Sequence, residues 1–337
     1  MARRALAQRY RTAPRRSAFT LVEIMVVMAI LAILSTILMS VFQRSRTAAQ
    51  RAQCDVRLKS IALALDAHRQ ENGTFPADLN ALATKNYLSD PDALHCPADL
   101  NPEGSYREFY VLRAKRDSNE LPILVCPFHE GSGQGAQAYI GKYTTQFASK
   151  PARLGAANNV SVQHPGGGAP VAATTGMELH GGDRIITGPQ GAATIEFADG
   201  STASLRGGSN VTLLQSFVEG HAQPLLYTLV RQTLGDVTYQ VHHGSKFDVV
   251  TPTATAGALG TKFQIKVDAA QKSTIWVTEG KVRVSDQFTS ALATPQNTAN
   301  GYLIVPGALN LTLPLLPGGL LNGAGGGLGG LLGGLGL

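Results

Sequence analysis

"RRSAFTLVEIMVVMAILAILSTILMSVFQRSR", residues Arg15–Arg46, is the stretch on which the reading of this chain turns. Phe19 to Phe42 is a run of 24 residues that is almost wholly apolar and carries one carboxylate, Glu23, near its start. About 20 apolar residues cross a bilayer as a helix, so the run is long enough to span. It exceeds the ~7–15-residue apolar core of a secretory signal, and no small-x-small cleavage site follows it directly. Six arginines, at positions 3, 4, 9, 11, 15 and 16, precede it with no acid among them. The positive-inside rule keeps that end cytoplasmic, with Arg44, Arg46 and Arg51 weakening the bias from the far side. A lone carboxylate in hydrocarbon costs on the order of 2.5–3.5 kcal/mol, so Glu23 calls for a cation. None lies one helical turn away in the apolar run.

The basic leader, Ala18, and then Phe19-Thr20-Leu21-Val22-Glu23-Ile24 resemble the type III signal of type IV pilins and type II secretion pseudopilins. The resemblance implies that a membrane prepilin peptidase cuts before Phe19 and methylates the new amine. Glu23 then serves assembly by meeting the N-terminal amine of a neighbouring subunit, and cleavage creates the missing cation on another chain. The family usually places glycine before the cut, where this chain has Ala18. A plain signal anchor with Glu23 at the interface is the alternative. A twin-arginine signal at Arg15-Arg16 is opposed by the length of the apolar run.

The leader's six arginines account for the whole excess of 29 basic over 23 acidic residues. The mature chain has formal charge zero, and no basic stripe remains to hold phosphates. Nucleic acid is therefore not an expected partner. With 337 residues, more than one domain is expected.

Cys54, Leu58, Ile61 and Leu65 fall at steps of 4, 3 and 4, one apolar face of a helix. The pattern stops at Asn72-Gly73, a helix-ending pair, with Pro76 soon after. A helix that is half membrane-embedded and half packed on a small head resembles pseudopilins. Residues 43–150 are assigned to this helix continuation and head. "LHCPAD" around Cys96 and "LVCPFHEGSG" around Cys126 echo each other within it. Disulfides persist in exported domains, so a Cys96–Cys126 bridge is the favoured reading. A metal site at His95, Cys96, Cys126 and His129 is the alternative, since Cys126-x-x-His129 has ligand-like spacing. Free thiols are a third reading. Cys54, on the helix's apolar face, reads as a small buried hydrophobe. Asp90, Asp92 and Asp99 match no calcium-loop spacing, and no cofactor is expected.

Residues 151–176 are rich in small residues, glycine and proline, and read as a linker. Beyond them the period changes to two. Asp199-Gly200 between alternating runs signals a hairpin, and short strands recur to about Val284. An all-β sandwich or roll is expected. The order "GGDRIITGPQGAATIEFADGSTASL", "LGDVTYQVHHGSKFDVVTPTATAGALGTKFQIKV", "TIWVTEGKVRV" resembles the FecR domain, over residues 177–286. Family members that regulate sigma factors couple this extracytoplasmic domain to a cytoplasmic helical one. Here at most 18 residues precede the apolar run, which argues against that signalling role. The resemblance leaves an exported β-domain for protein or polysaccharide contact.

His180 and His242-His243 are the tempting catalytic residues, but adjacent strand residues point to opposite faces. No triad, dyad or phosphate-cradling spacing stands out, so no enzyme is expected. After Asp286 no charged side chain follows for 51 residues, and residues 318–337 hold 11 glycines, with leucine supplying most of the rest.

The reading that results is an α+β chain in the bacterial inner membrane by one N-terminal span, its bulk extracytoplasmic. It would be a pseudopilin-like subunit carrying a FecR-like domain, with other pilin or pseudopilin subunits, the prepilin peptidase and the membrane as partners. The alternatives are a membrane-anchored FecR-type sensor or adaptor, or a surface carbohydrate- or protein-binding module, neither entering a filament.

Overall fold

The computed structural model describes residues 20–99, 101, 105–113, 121–129, 134–139, 145–219, 225–286, 288, 290–296, 298, 301–304 and 313–314. The leader with Ala18 and Phe19, and the glycine- and leucine-rich tail beyond residue 314, lie outside the described residues. Contacts divide the chain into two compact units, residues 1–49 and 50–337.

In the first unit, the helix α1 (Leu21–Asn72) begins as expected from the apolar run. From Leu21 to Phe42 its large apolar side chains are all exposed, as for a segment whose solvent is lipid or other helices.

In the second unit, α1 buries Cys54, Leu58, Ile61 and Leu65 completely, the four positions read from the sequence. The helix stops where expected. Gly73 takes a left-handed φ of 78° and its N–H bonds the Arg69 carbonyl at 2.9 Å. The chain then folds back, so that Phe75, Leu79, Leu82 of the short α2 (Asn80–Thr84), Leu94, Tyr106 and Leu124 cover the apolar face of α1. A three-stranded antiparallel sheet completes the head: β1 (Pro122–Cys126), β2 (Gln134–Tyr139) and β3 (Thr145–Ala148).

The remaining strands are β4 (Ala152–Gln163), β5 (Val171–Ala172), β6 (Glu178–Leu179), β7 (Arg184–Glu196), β8 (Thr202–Leu205), β9 (Asn210–Glu219), β10 (Leu225–Gln240), β11 (Lys246–Val250), β12 (Thr255–Leu259), β13 (Lys262–Val267), β14 (Ser273–Glu279), β15 (Val282–Ser285), β16 (Ser290–Ala293), β17 (Tyr302–Ile304) and β18 (Leu313–Pro314). They form a small barrel with additional strands around one apolar core. The long strand β10 organises it. Its first half lies between β9 and β11, and its second half between β8 and β13. The β10–β11 pairing is parallel. Alternation drives the register: Phe263, Ile265 and Val267 of β13 point into the core while Lys262, Gln264 and Lys266 do not. The Asp199-Gly200 signal is met by a β7–β8 hairpin, with Gly200 at φ 85° and Asp199 Oδ1 accepting from Ser201 N at 2.9 Å.

Two expectations are corrected. Residues 151–176 are not a linker. Residues 152–163 form β4, paired along its length with β7, and Ala152, Leu154, Val160 and Val162 supply enough inward apolar groups to enter the core. Nor are the head and the β-domain separate bodies. Phe109, Val111 and Val125 of the head pack with Leu214, Phe217, Tyr227, Leu229 and Val250 of the β-domain as one buried cluster. Lys150 N donates to the Ser216 carbonyl at 2.8 Å, and Thr255 Oγ1 to the Leu112 carbonyl at 2.6 Å, so hydrogen bonds also cross the junction.

Candidate functional site

The amino-terminal site begins at Thr20, the residue before α1. Its backbone N–H and its hydroxyl donate to Oε2 of Glu23 at 2.8 and 2.9 Å, and Glu23 N–H donates to Thr20 Oγ1 at 3.3 Å. This is a capping box, in which a threonine and the glutamate three residues later satisfy each other's backbone donors. The Thr20-x-x-Glu23 spacing carried that signal, and the sequence reading missed it. The box accounts for how Glu23 tolerates its position within one chain. It uses a single carboxylate oxygen. Among the described residues, no hydrogen bond reaches Oε1.

The cysteines come together from three places. Cys54 is on α1, Cys96 follows the 3-10 turn Pro91–Leu94, and Cys126 ends β1. His129 sits in the turn after β1. All four side chains are buried. Cys96 Sγ lies 3.5 Å from Cys126 Sγ and 3.4 Å from His129 Nε2. One donor atom from each of the four lies within 4.8 Å of every other. The Tyr106 hydroxyl donates to Cys54 Sγ at 2.9 Å.

Two arrangements were expected here, a Cys96–Cys126 bridge and a metal set that includes His95. Cys96 and Cys126 are neighbours, with their sulfurs 3.5 Å apart against the ~2.0 Å of a disulfide bond. The donors that converge here include Cys54 and not His95. The backbone at His95 is extended (φ −115°, ψ 135°), and successive side chains on extended chain point apart, so burial of Cys96 turns His95 away. The His95 carbonyl instead accepts from Arg57 Nη1 at 2.6 Å. The thiols are electrostatically unequal. Hydrogen bonds from Cys126 and Cys54 pull Cys96 below the ordinary thiol range, while burial pushes Cys126 well above it.

On the β-domain, His242 and His243 lie in the exposed turn after β10 and His180 is exposed. His242 N–H donates to Ser201 Oγ, and His180 N–H to Asp183 Oδ2, so both serve turn structure. A cleft of about 320 Å³ opens beside Tyr227 and Asp248, with Lys246, Lys281 and Arg283 among its lining.

Residues 14–39 match the prokaryotic N-terminal methylation motif, and residues 183–283 match the family described as FecR protein. The chain therefore carries a pilin-like methylation motif on an apolar helix and a FecR domain in its β-rich part. The motif implies processing by a prepilin peptidase and, with the helix, points to an inner-membrane-anchored, pilin-like protein. No curated protein matches the chain. Two crystal structures of a "putative anti-sigma factor" from Parabacteroides distasonis ATCC 8503, at 1.65 and 2.50 Å resolution, are similar to it at 21% identity and a TM-score of 0.29. The similarity covers 36% of this chain and 57% of that one.

Proposed function

We propose that the protein is a pseudopilin-like structural subunit of a type II secretion or type IV pilus-type assembly, which presents its FecR domain outside the cytoplasm. The observation that carries this reading is Glu23. It sits in a methylation motif, on an exposed apolar helix, with one carboxylate oxygen engaged by Thr20. A neighbouring chain's processed amine is the cation that such a carboxylate requires in a low-dielectric setting. The FecR domain is the cargo of the assembly and not a catalyst. Its cleft, rimmed by Lys246, Lys281 and Arg283, suits an anionic protein segment or polysaccharide. The continuous core between head and β-domain supports presentation on a fixed mount rather than on a tether.

Cross-linking between mature chains in the membrane, compared for the wild type and Glu23→Ala, tests the reading. Cross-linking that depends on Glu23 supports a filament subunit, and equal cross-linking in both removes it in favour of an anchored adaptor.

A further inference from the structure

Three cysteines and one histidine converge in the interior of the head, and the function proposed above makes no use of them. We propose that Cys54, Cys96, Cys126 and His129 form a structural tetrahedral site for zinc or a similar thiophilic divalent cation.

Geometry argues for a metal over a disulfide. Zinc bonds thiolate at about 2.3 Å and imidazole at about 2.0–2.1 Å, so the edges of a tetrahedron are about 3.8 Å between sulfurs and about 3.6 Å between sulfur and nitrogen. The Cys96–Cys126 and Cys96–His129 separations of 3.5 and 3.4 Å are close to these edges. All donor atoms lie within 4.8 Å of one another, so one ion reaches the whole set after shifts of tenths of an ångström. A Cys96–Cys126 disulfide would instead strand Cys54 beside it, as a third buried thiol.

The surroundings fit the same assignment. Four protein donors with full burial make a closed site, the hallmark of a structural rather than a catalytic ion. The Tyr106 hydroxyl aims its donor at Cys54 Sγ, as an outer hydrogen bond to a metal-bound thiolate would. On binding, each thiol gives its proton to solvent as its sulfur bonds the ion, and the imidazole enters neutral. The ion would join α1 to the loop at Cys96 and to the end of β1, three segments far apart in sequence. It would thereby hold the head against the helix.

The test uses the untagged full-length chain in detergent, purified with reductant and without chelator. Metal analysis should give about one zinc per chain. Replacement by cobalt(II) should give the visible ligand-field bands and sulfur-to-metal charge-transfer absorption of tetrahedral thiolate coordination. Cys54→Ser should lower zinc affinity at least tenfold, and His95→Ala should leave it unchanged. His129→Cys keeps four ligands, so it should retain the stoichiometry and shift the cobalt bands. A metal-free chain overturns the proposal, whether peptide mapping then finds a Cys96–Cys126 disulfide or three alkylatable thiols. Zinc that is lost in His95→Ala and kept in Cys54→Ser overturns the assignment of ligands.

Discussion

Arg113 of the head and Asp248 of the β-domain form a salt bridge, Nη1 to Oδ2, of 2.6 Å, with side chains 4% and 6% exposed. The pair is not isolated. Arg113 also donates from Nε and Nη2 to the Pro122 carbonyl at 3.0 and 2.9 Å, and from Nη2 to the Tyr227 hydroxyl. That hydroxyl in turn donates to Asp248 Oδ2. Burial alone would pull the guanidinium down, but Tyr227 and Asp248 outweigh it and hold it above its ordinary value. A buried pair of this kind is a specificity device more than a source of net stability, because desolvation offsets most of the Coulomb gain. Here it joins the head to the β-domain at their junction.

Removing one partner leaves the other charged in the interior. Asp248→Asn should destabilise the chain by about 3–5 kcal/mol. Replacing both, with Arg113→Met and Asp248→Leu, should recover most of that loss. Chemical denaturation followed by tryptophan fluorescence checks both. A single substitution within about 0.5 kcal/mol of wild type, the range of ordinary surface changes, would mean that the junction does not hold the charge buried.

Gly235 stands within β10, between its two halves, with φ at +95°. A Cβ there would stand 2.4 Å from Ser209 Cα and 2.3 Å from Ser209 Oγ. Gly235→Ala must therefore strain the backbone and displace Ser209, the residue before β9, as well. A loss of at least about 1–3 kcal/mol is expected. Unchanged thermal unfolding would count against the left-handed conformation of Gly235.

Cleavage should fall between Ala18 and Phe19, leaving a methylated phenylalanine amine on the mature chain. Intact-mass measurement after expression with an active prepilin peptidase reads this directly. A chain that retains the leader's six arginines would refute it. Ala18→Gly, which restores the family's usual residue, should raise the processed fraction or leave it complete.

Glu23→Ala should leave insertion and cleavage intact, because alanine costs less in lipid than a carboxylate. What it should lose is incorporation beside other chains. Glu23→Gln should be nearly as defective, since the amide keeps the size and loses the charge. Thr20→Ala separates the two roles of the glutamate. It removes the hydroxyl half of the capping box, at about 0.5–2 kcal/mol of helix stability, and keeps the carboxylate. Cross-linking should therefore survive in Thr20→Ala and fail in both Glu23 variants. Failure in all three would reduce Glu23 to a helix cap.

Much of this protein is written locally. The apolar helix from Leu21, the buried face Cys54, Leu58, Ile61 and Leu65, the stop at Asn72-Gly73 and the Asp199-Gly200 hairpin each follow from periodicity or turn chemistry within a few residues. Such features depend on the pattern of side chains along a short stretch and on the geometry of its backbone, so sequence by itself determined them. Tertiary structure decided the rest. Residues 151–176 have the composition of a linker, yet β4 forms because β7 offers a complete antiparallel edge. Cys54 looked like filler, and only the return of the chain past α1 sets its sulfur beside Cys96, Cys126 and His129. Arg113 and Asp248 stand 135 positions apart, and nothing near either names the other. Contacts between distant segments arise from the packing of whole elements, and no local pattern encodes which elements will meet.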